Sequence, residues 1–175
     1  MGMQSMPRIV KDVSAMPVRP HLRDYAQTVA DFRWQASPWL DGLPAGGINI
    51  AYEAVDRHLT HGRGGHTAIR WRGKGGERRD LSFADLAQAT NRFANALAAL
   101  GVVPGERVFV LMGRLPELYM AVLGALKARC VVSPLFSAFG PEPIATRVNL
   151  GAGTVLVTTD MLYARKVAKS REQMP

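Results

Sequence analysis

Three short apolar runs, each followed by a helical segment, constrain this chain more than any other feature. Val108-Phe109-Val110-Leu111-Met112 is continuously apolar, as expected for a strand covered on both faces. Pro116, a favoured first-turn residue, opens a largely apolar helix to about Arg129. Cys130-Val131-Val132 reads as a second short buried strand, and Pro141-Glu142 start a helix that ends near Leu150-Gly151. Thr154-Val155-Leu156-Val157-Thr158 is a third strand, with a last helix from about Asp160 toward Ser170. This alternation predicts right-handed βαβ units and a parallel sheet, so the fold class is α/β.

Helices and a hairpin are predicted ahead of the sheet. Phe83, Leu86, Thr90, Phe93, Leu97 and Leu100 form one stripe at helical spacing. Ser82 with Asp85 has the form of a capping box, and Gly101 stands where a C-terminal glycine belongs. Upstream, Thr67–Arg72 alternates apolar and basic residues, and Arg79–Ser82 follows across Gly73-Lys74-Gly75-Gly76. That pattern predicts a β-hairpin whose charged side is solvated. Asn49 is expected to cap a helix through His58, with Ile50, Ala54 and Val55 turned inward. Leu22, Tyr25, Val29 and Phe32 predict a helix over 21–34, and the Pro- and Gly-rich stretch 35–47 is a loop. Residues 1–20 read as an irregular lead-in to a unit spanning 21–175.

Composition narrows the class. The 175 residues are 47% hydrophobic and 21% charged, which suits a globular domain and excludes wholesale disorder. One cysteine excludes an internal disulfide or a Cys-based zinc site. No run reaches the roughly 18 apolar residues of a membrane span, and no secretory signal is visible, so a cytoplasmic location is expected. The net charge of +8 favours anionic partners. Its basic residues gather in Arg57, Arg63, Arg70, Arg72, Lys74, Arg78 and Arg79, and again in Arg165, Lys166, Lys169 and Arg171.

Ligands of open α/β sheets sit outside the carboxyl ends of the strands. Here those ends are Met112-Gly113-Arg114, Leu135 through Gly140, and Thr158-Thr159-Asp160. Phe136 or Phe139 is placed to stack a base there; the alternative is that both are core plugs and Arg114 is a solvated loop residue. The glycine motifs of dinucleotide and P-loop sites are missing, as is a Gly-x-Ser-x-Gly elbow. His58, His61 and His66 lack the carboxylate or Cys pattern of a metal site, and Cys130 reads as an inert core thiol.

Residues from about Trp39 to Lys169 resemble the N-terminal portion of AMP-forming acetate–CoA ligases, in the adenylate-forming acyl-CoA synthetase superfamily. The matching stretches are Trp39–Pro44, Asn49–His58, Leu81–Leu86, Asn91–Asn95, Gly101–Val108, Arg114–Leu118, Phe136–Glu142 and Val157–Asp160. Their order and spacing carry the resemblance. It implies Rossmann-like βαβ units forming an incomplete part of the superfamily's large N-terminal domain. It also implies a two-step reaction. A carboxylate attacks the α-phosphorus of ATP, giving acyl-adenylate and pyrophosphate, with Mg²⁺ offsetting phosphate charge; the CoA thiol then displaces AMP. The phosphate loop, acyl pocket and catalytic lysine lie downstream in the family and match no stretch of these residues.

Within the resemblance, Phe136, Ser137 and Ala138 correspond to a loop lying against the nucleotide end of CoA. Arg165 and Lys166 are the nearest equivalents of basic residues that approach its phosphates, although Leu162-Tyr163-Ala164-Arg165-Lys166 departs from the family's arginine spacing. The alternative for Arg165, Lys166 and Lys169 is a solvated helix face. Three functions are therefore weighed: an N-terminal part of an acetate–CoA ligase that is inactive alone, a CoA- or nucleotide-binding module without turnover, and a basic nucleic-acid-binding protein. The helix Ser82–Leu100 or the helix Pro116–Arg129 is expected to expose an apolar face suited to self-association.

Overall fold

A computed structural model describes residues 10–175, so part of the expected lead-in lies outside the described residues. The chain divides into two compact units, Met1–Ser37 and Pro38–Pro175. In the first, helix α1 (Tyr25–Asp31) is shorter than the predicted 21–34. Asp24 sets its start, accepting a hydrogen bond from the Gln27 N–H at 2.9 Å, and Phe32 turns extended at its end. The Phe32 and Trp34 rings then meet edge-on, 4.9 Å apart.

The second unit begins with a helical segment, α2, in which a π-turned stretch Tyr52–Asp56 runs into the α-helical Arg57–Thr60. Asn49 caps it as predicted, its Oδ1 accepting from the Ala51 and Tyr52 N–H groups at 2.9 and 3.2 Å. Its Nδ2 donates to the Leu126 carbonyl at 2.9 Å. The inward face matches the prediction at Val55 only: Val55 is buried together with Ala51 and Glu53, whereas Ile50 and Ala54 are exposed. The wider i→i+5 turn rotates the face away from simple helical periodicity.

Glu53 explains why that rotation is stable. Its carboxylate accepts from the N–H groups of Gly42 (2.7 Å) and Asp41 (3.1 Å) and from Arg57 Nη1 (2.9 Å). Arg57 Nη1 also reaches the Trp39 carbonyl at 2.7 Å. Burial raises the Glu53 carboxyl, but the Asp41 N–H, the Arg57 guanidinium and the Gly42 N–H outweigh it and hold the group below its ordinary 4.5. A depressed carboxylate stabilises the fold above its unfolded pKa and loses that contribution as pH falls through the folded value. Glu53→Gln is therefore expected to cost about 1–3 kcal/mol at pH 7. In urea unfolding the gap from the wild type should close as pH drops below 4.5; a gap independent of pH would contradict this role.

The hairpin forms as predicted from β1 (Thr67–Arg72) and β2 (Arg78–Ser82), antiparallel, with Trp71 opposite Arg79 and Arg70 opposite Asp80. Helix α3 (Phe83–Ala99) follows directly, and its capping box is present: the Asp85 N–H donates to Ser82 Oγ and the Ser82 N–H to Asp85 Oδ2. Leu86, Thr90 and Leu97 of the stripe are buried, but Leu100 is 77% exposed. Gly101, with φ of +82°, turns the chain away from the helix axis immediately after it.

Strands β3 (Arg107–Leu111), β4 (Val131–Pro134) and β5 (Val155–Thr158) form a parallel sheet in the order β4-β3-β5. Helix α4 (Pro116–Lys127) joins β3 to β4, and α5 (Pro141–Leu150) joins β4 to β5. After β5 come α6 (Asp160–Leu162), a π-turned stretch Tyr163–Val167 and a 3₁₀ segment Ala168–Gln173. The strand period of 2 separates two cores. Val108 and Val110 meet Leu97 and Ala125 on the face of α3 and α4. Phe109 and Leu111 meet Ile144, Val148, Leu162 and Val167 on the other. Only the central strand is buried on both sides; β4, predicted buried, is an edge strand, with Val131 55% exposed.

Close approach of α3 and α4 depends on Gly124, where a Cβ would lie 2.8 Å from the Thr90 carbonyl and 2.9 Å from Phe93. Lys127 then ties three helices, donating to Asp56 at 2.8 Å and Asn91 at 2.7 Å. An apolar groove of about 420 Å³ stays open beside β5, walled by Phe93, Ala96, Met112, Met120 and Val157 among others. Among the described residues no helix is long and apolar enough to cross a membrane.

Candidate functional site

The carboxyl ends of all three parallel strands open into one cleft of about 570 Å³. Gly113 and Arg114 enter from the end of β3, Ser137 from the end of β4, and Thr159 from the end of β5. Met161, Leu162, Arg165 and Lys166 close the remaining side. The strand-end rule thus places the cleft where the sequence puts it. Three cationic side chains line it: Arg114, Arg165 and Lys166. Asp160, exposed, follows Thr159 at the start of α6.

Lys166 does more than add charge. Its ammonium donates to the carbonyls of Ser137 at 2.5 Å and Phe139 at 2.9 Å. The loop after β4 is therefore held against the loop after β5 by one half-buried cation. The π-turned stretch Tyr163–Val167 carries both Arg165 and Lys166, and such turns re-aim side chains that a regular helix would space differently. Thr159 Oγ1 accepts from the Leu162 N–H at 3.3 Å, so the start of this segment is capped.

Of the residues expected in a site, Ser137, Arg165 and Lys166 line the cleft together, while Phe136 and Ala138 sit on the same loop but outside its walls. The two phenylalanines have different roles. Phe139 packs against the Phe109 core, with the Arg147 guanidinium 4.3 Å from its ring centre. Phe136 is 65% exposed and meets Phe139 edge-on at 5.7 Å. It presents a ring free on one side, the arrangement used to stack a planar group.

Elsewhere the basic stretch is turned to intramolecular use. Arg70 and Arg72 reach Asp80 at 3.3 and 2.8 Å, and Arg79 reaches Glu117 at 2.6 Å. The histidines do not converge: His61 bonds Asp41 at 2.9 Å, and His58 lies 4.2 Å from the Phe83 ring. Burial holds the His58 imidazole below its ordinary range, with Arg57, Arg63 and His61 adding to the effect. Cys130 is buried, and burial followed by the Glu106 charge pushes its thiol up, away from reactivity.

The sequence pattern of the AMP-binding enzyme family matches residues 56–175. The chain belongs to the AMP-binding enzyme family. Relatives include the acetyl-coenzyme A synthetase of Streptomyces coelicolor, 35% identical over 132 residues, covering 75% of this chain and 20% of that protein. The 3-hydroxypropionyl-coenzyme A synthetase of Metallosphaera sedula is 35% identical over 145 residues, covering 83% of this chain and 22% of that protein. The crystal structure of a Brucella canis acyl-CoA synthetase superposes with a TM-score of 0.72 at 32% identity, over 86% of this chain and 27% of that one. The α/β fold of an adenylate-forming enzyme is thereby shared. The chain spans about a fifth of the length of the curated relatives it matches.

Proposed function

We propose that these residues form the part of an AMP-forming acetate–CoA ligase that receives the nucleotide end of CoA. The observation that carries this reading is the strand-end cleft, which Arg114, Arg165 and Lys166 line together and whose Ser137 wall belongs to the loop that carries the exposed Phe136 ring. A phosphorylated adenine nucleotide combines a polyanion with a planar base; the cleft offers cations for the first, and Phe136, on the loop just outside its walls, offers a ring for the second. Lys166 orders the loop that carries Phe136, Ser137 and Ala138. Arg114 supplies charge from the end of β3 and Arg165 from the segment that follows α6. Acetate is the acid favoured, because of the Asn49–His58 and Phe136–Glu142 blocks and the acetyl-coenzyme A synthetases among the relatives.

The reaction of such a ligase joins a carboxylate to the α-phosphorus of ATP with loss of pyrophosphate, then passes the acyl group to the CoA thiol with loss of AMP. ATP and Mg²⁺ belong to the first half of it. The groups that the family brings to that half match no residue of these 175, so this chain by itself binds CoA without adenylating acetate. Acetate-dependent ATP–pyrophosphate exchange by the pure chain should equal the blank without protein. CoA should meanwhile slow hydrogen exchange in segments 113–115, 136–139 and 159–166. Exchange of pyrophosphate above the blank would overturn the first statement, and unaltered protection of those segments would overturn the second.

A further inference from the structure

The junction between β3 and α4, which carries Arg114 into the cleft, has little to hold it from within. Leu115, at the cap position before helix α4, gives the helix no side-chain cap. Gly113 has open space where a Cβ would stand, and the turn itself is closed by one hydrogen bond, from the Leu115 N–H to the Gly113 carbonyl at 2.9 Å. Leu115 also lines the cleft, so movement of this turn alters the cleft directly.

The restraint comes from the hairpin. The half-buried Trp71 donates its indole N–H to the Arg114 carbonyl at 2.7 Å. Arg79 donates to Glu117, in the first turn of α4, at 2.6 Å. Trp71 and Arg79 are directly opposite each other across the hairpin, so both side chains leave the same face. The alternate face carries Arg70, Arg72, Arg78 and Asp80, with Asp80 accepting from both Arg70 and Arg72. Period-2 alternation thus sorts the basic hairpin into a side whose arginines share Asp80 and a side that grips the β3–α4 junction at two points three residues apart. Gly73 belongs to the same device, because a Cβ there would meet the Trp71 ring at 2.7 Å.

We propose that the cross-strand pair Trp71 and Arg79 is a positioning element for the cleft, holding the Gly113–Leu115 turn so that the Arg114 guanidinium faces the bound anion. Neither residue touches the ligand; both act through Arg114. The proposal rests on the reading of the cleft as a CoA site, and its test separates the two. Trp71→Phe keeps a ring and removes the donor, and Arg79→Gln removes the second grip. Each should weaken CoA binding about threefold to tenfold, the effect of one hydrogen bond. Each should also lower the salt dependence of binding toward that of Arg114→Gln. In the Arg114→Gln background, Trp71→Phe should have no further effect, because its influence passes through that side chain. Lys74→Gln, on the hairpin turn, is the control for charge alone and should leave affinity unchanged.

Hydrogen exchange measured on the same variants reads the turn without any ligand. Residues 113–118 should exchange faster in Trp71→Phe and Arg79→Gln, with α3 unaltered. If the wild-type chain binds no CoA but this local change appears, the positioning role stands and the CoA reading falls. If CoA binds normally to both variants, if the effects of Trp71→Phe and Arg114→Gln simply add, or if exchange at 113–118 is unaltered, the positioning role is overturned.

Discussion

Phe109→Ala will cost about 3–5 kcal/mol of unfolding free energy, the range for deleting a buried aromatic side chain and leaving its space unfilled. Phe109 is 3% exposed at the centre of the central strand, paired with Ser133 on β4 and Leu156 on β5. Its ring lies over the turn between α5 and β5 so closely that a Cβ at Gly151 or Gly153 would come within 2.5 or 2.4 Å of it. The void left by alanine therefore opens between sheet, α5 and that turn, where neither strand pairing nor the turn can collapse to fill it. Domains hold about 5–15 kcal/mol in total, so the variant should lose much of its stability. Urea unfolding of the two proteins side by side measures this. A loss below about 1 kcal/mol would mean that the α5–β5 turn repacks freely.

Lys166→Met will weaken CoA binding about tenfold to a hundredfold, while Lys169→Met, on an exposed position of the following segment, will not. The first removes both bonds that fix the loop after β4, to the Ser137 and Phe139 carbonyls. Hydrogen bonds from a charged donor contribute roughly 1.5–3 kcal/mol each when buried, and partial exposure reduces that here. It also removes one of three cations from the cleft. Methionine retains the length of the apolar stem, so packing along the segment is preserved. Calorimetric titration at low salt compares the variants. Equal affinities for wild type and Lys166→Met would show that the ammonium neither orders the loop nor meets the ligand.

The sheet was legible because its signal is local. Val108–Met112 and Val155–Val157 are unbroken apolar runs, and Pro116 and Pro141 mark helix starts that the structure retains. The edge position of β4 was not legible, because Cys130-Val131-Val132 is as apolar as a central strand and only the order β4-β3-β5 exposes Val131. The inward face of α2 was misread for a different reason. Helical periodicity assumes a uniform turn, and the π-turned Tyr52–Asp56 departs from it to bring Glu53 onto the Asp41 and Gly42 N–H groups.

The cleft was half legible. Strand ends follow from the order of elements, so Arg114, Ser137 and Thr159 were accessible by rule, and Arg165 and Lys166 by resemblance. The link from Lys166 to two loop carbonyls was not, since it depends on how two irregular segments lie. The grip of Trp71 and Arg79 on the β3–α4 junction joins residues 43 and 38 apart in sequence. Charge alternation in the hairpin pointed to a solvated face, and register alone distinguishes the side that carries Asp80 from the gripping one.

Titration of the wild-type 175-residue chain with CoA at low salt tests the account most directly. Saturable one-to-one binding that weakens as salt is raised is the predicted result, since the proposed site presents Arg114, Arg165 and Lys166 to its ligand. No heat up to millimolar CoA would contradict it.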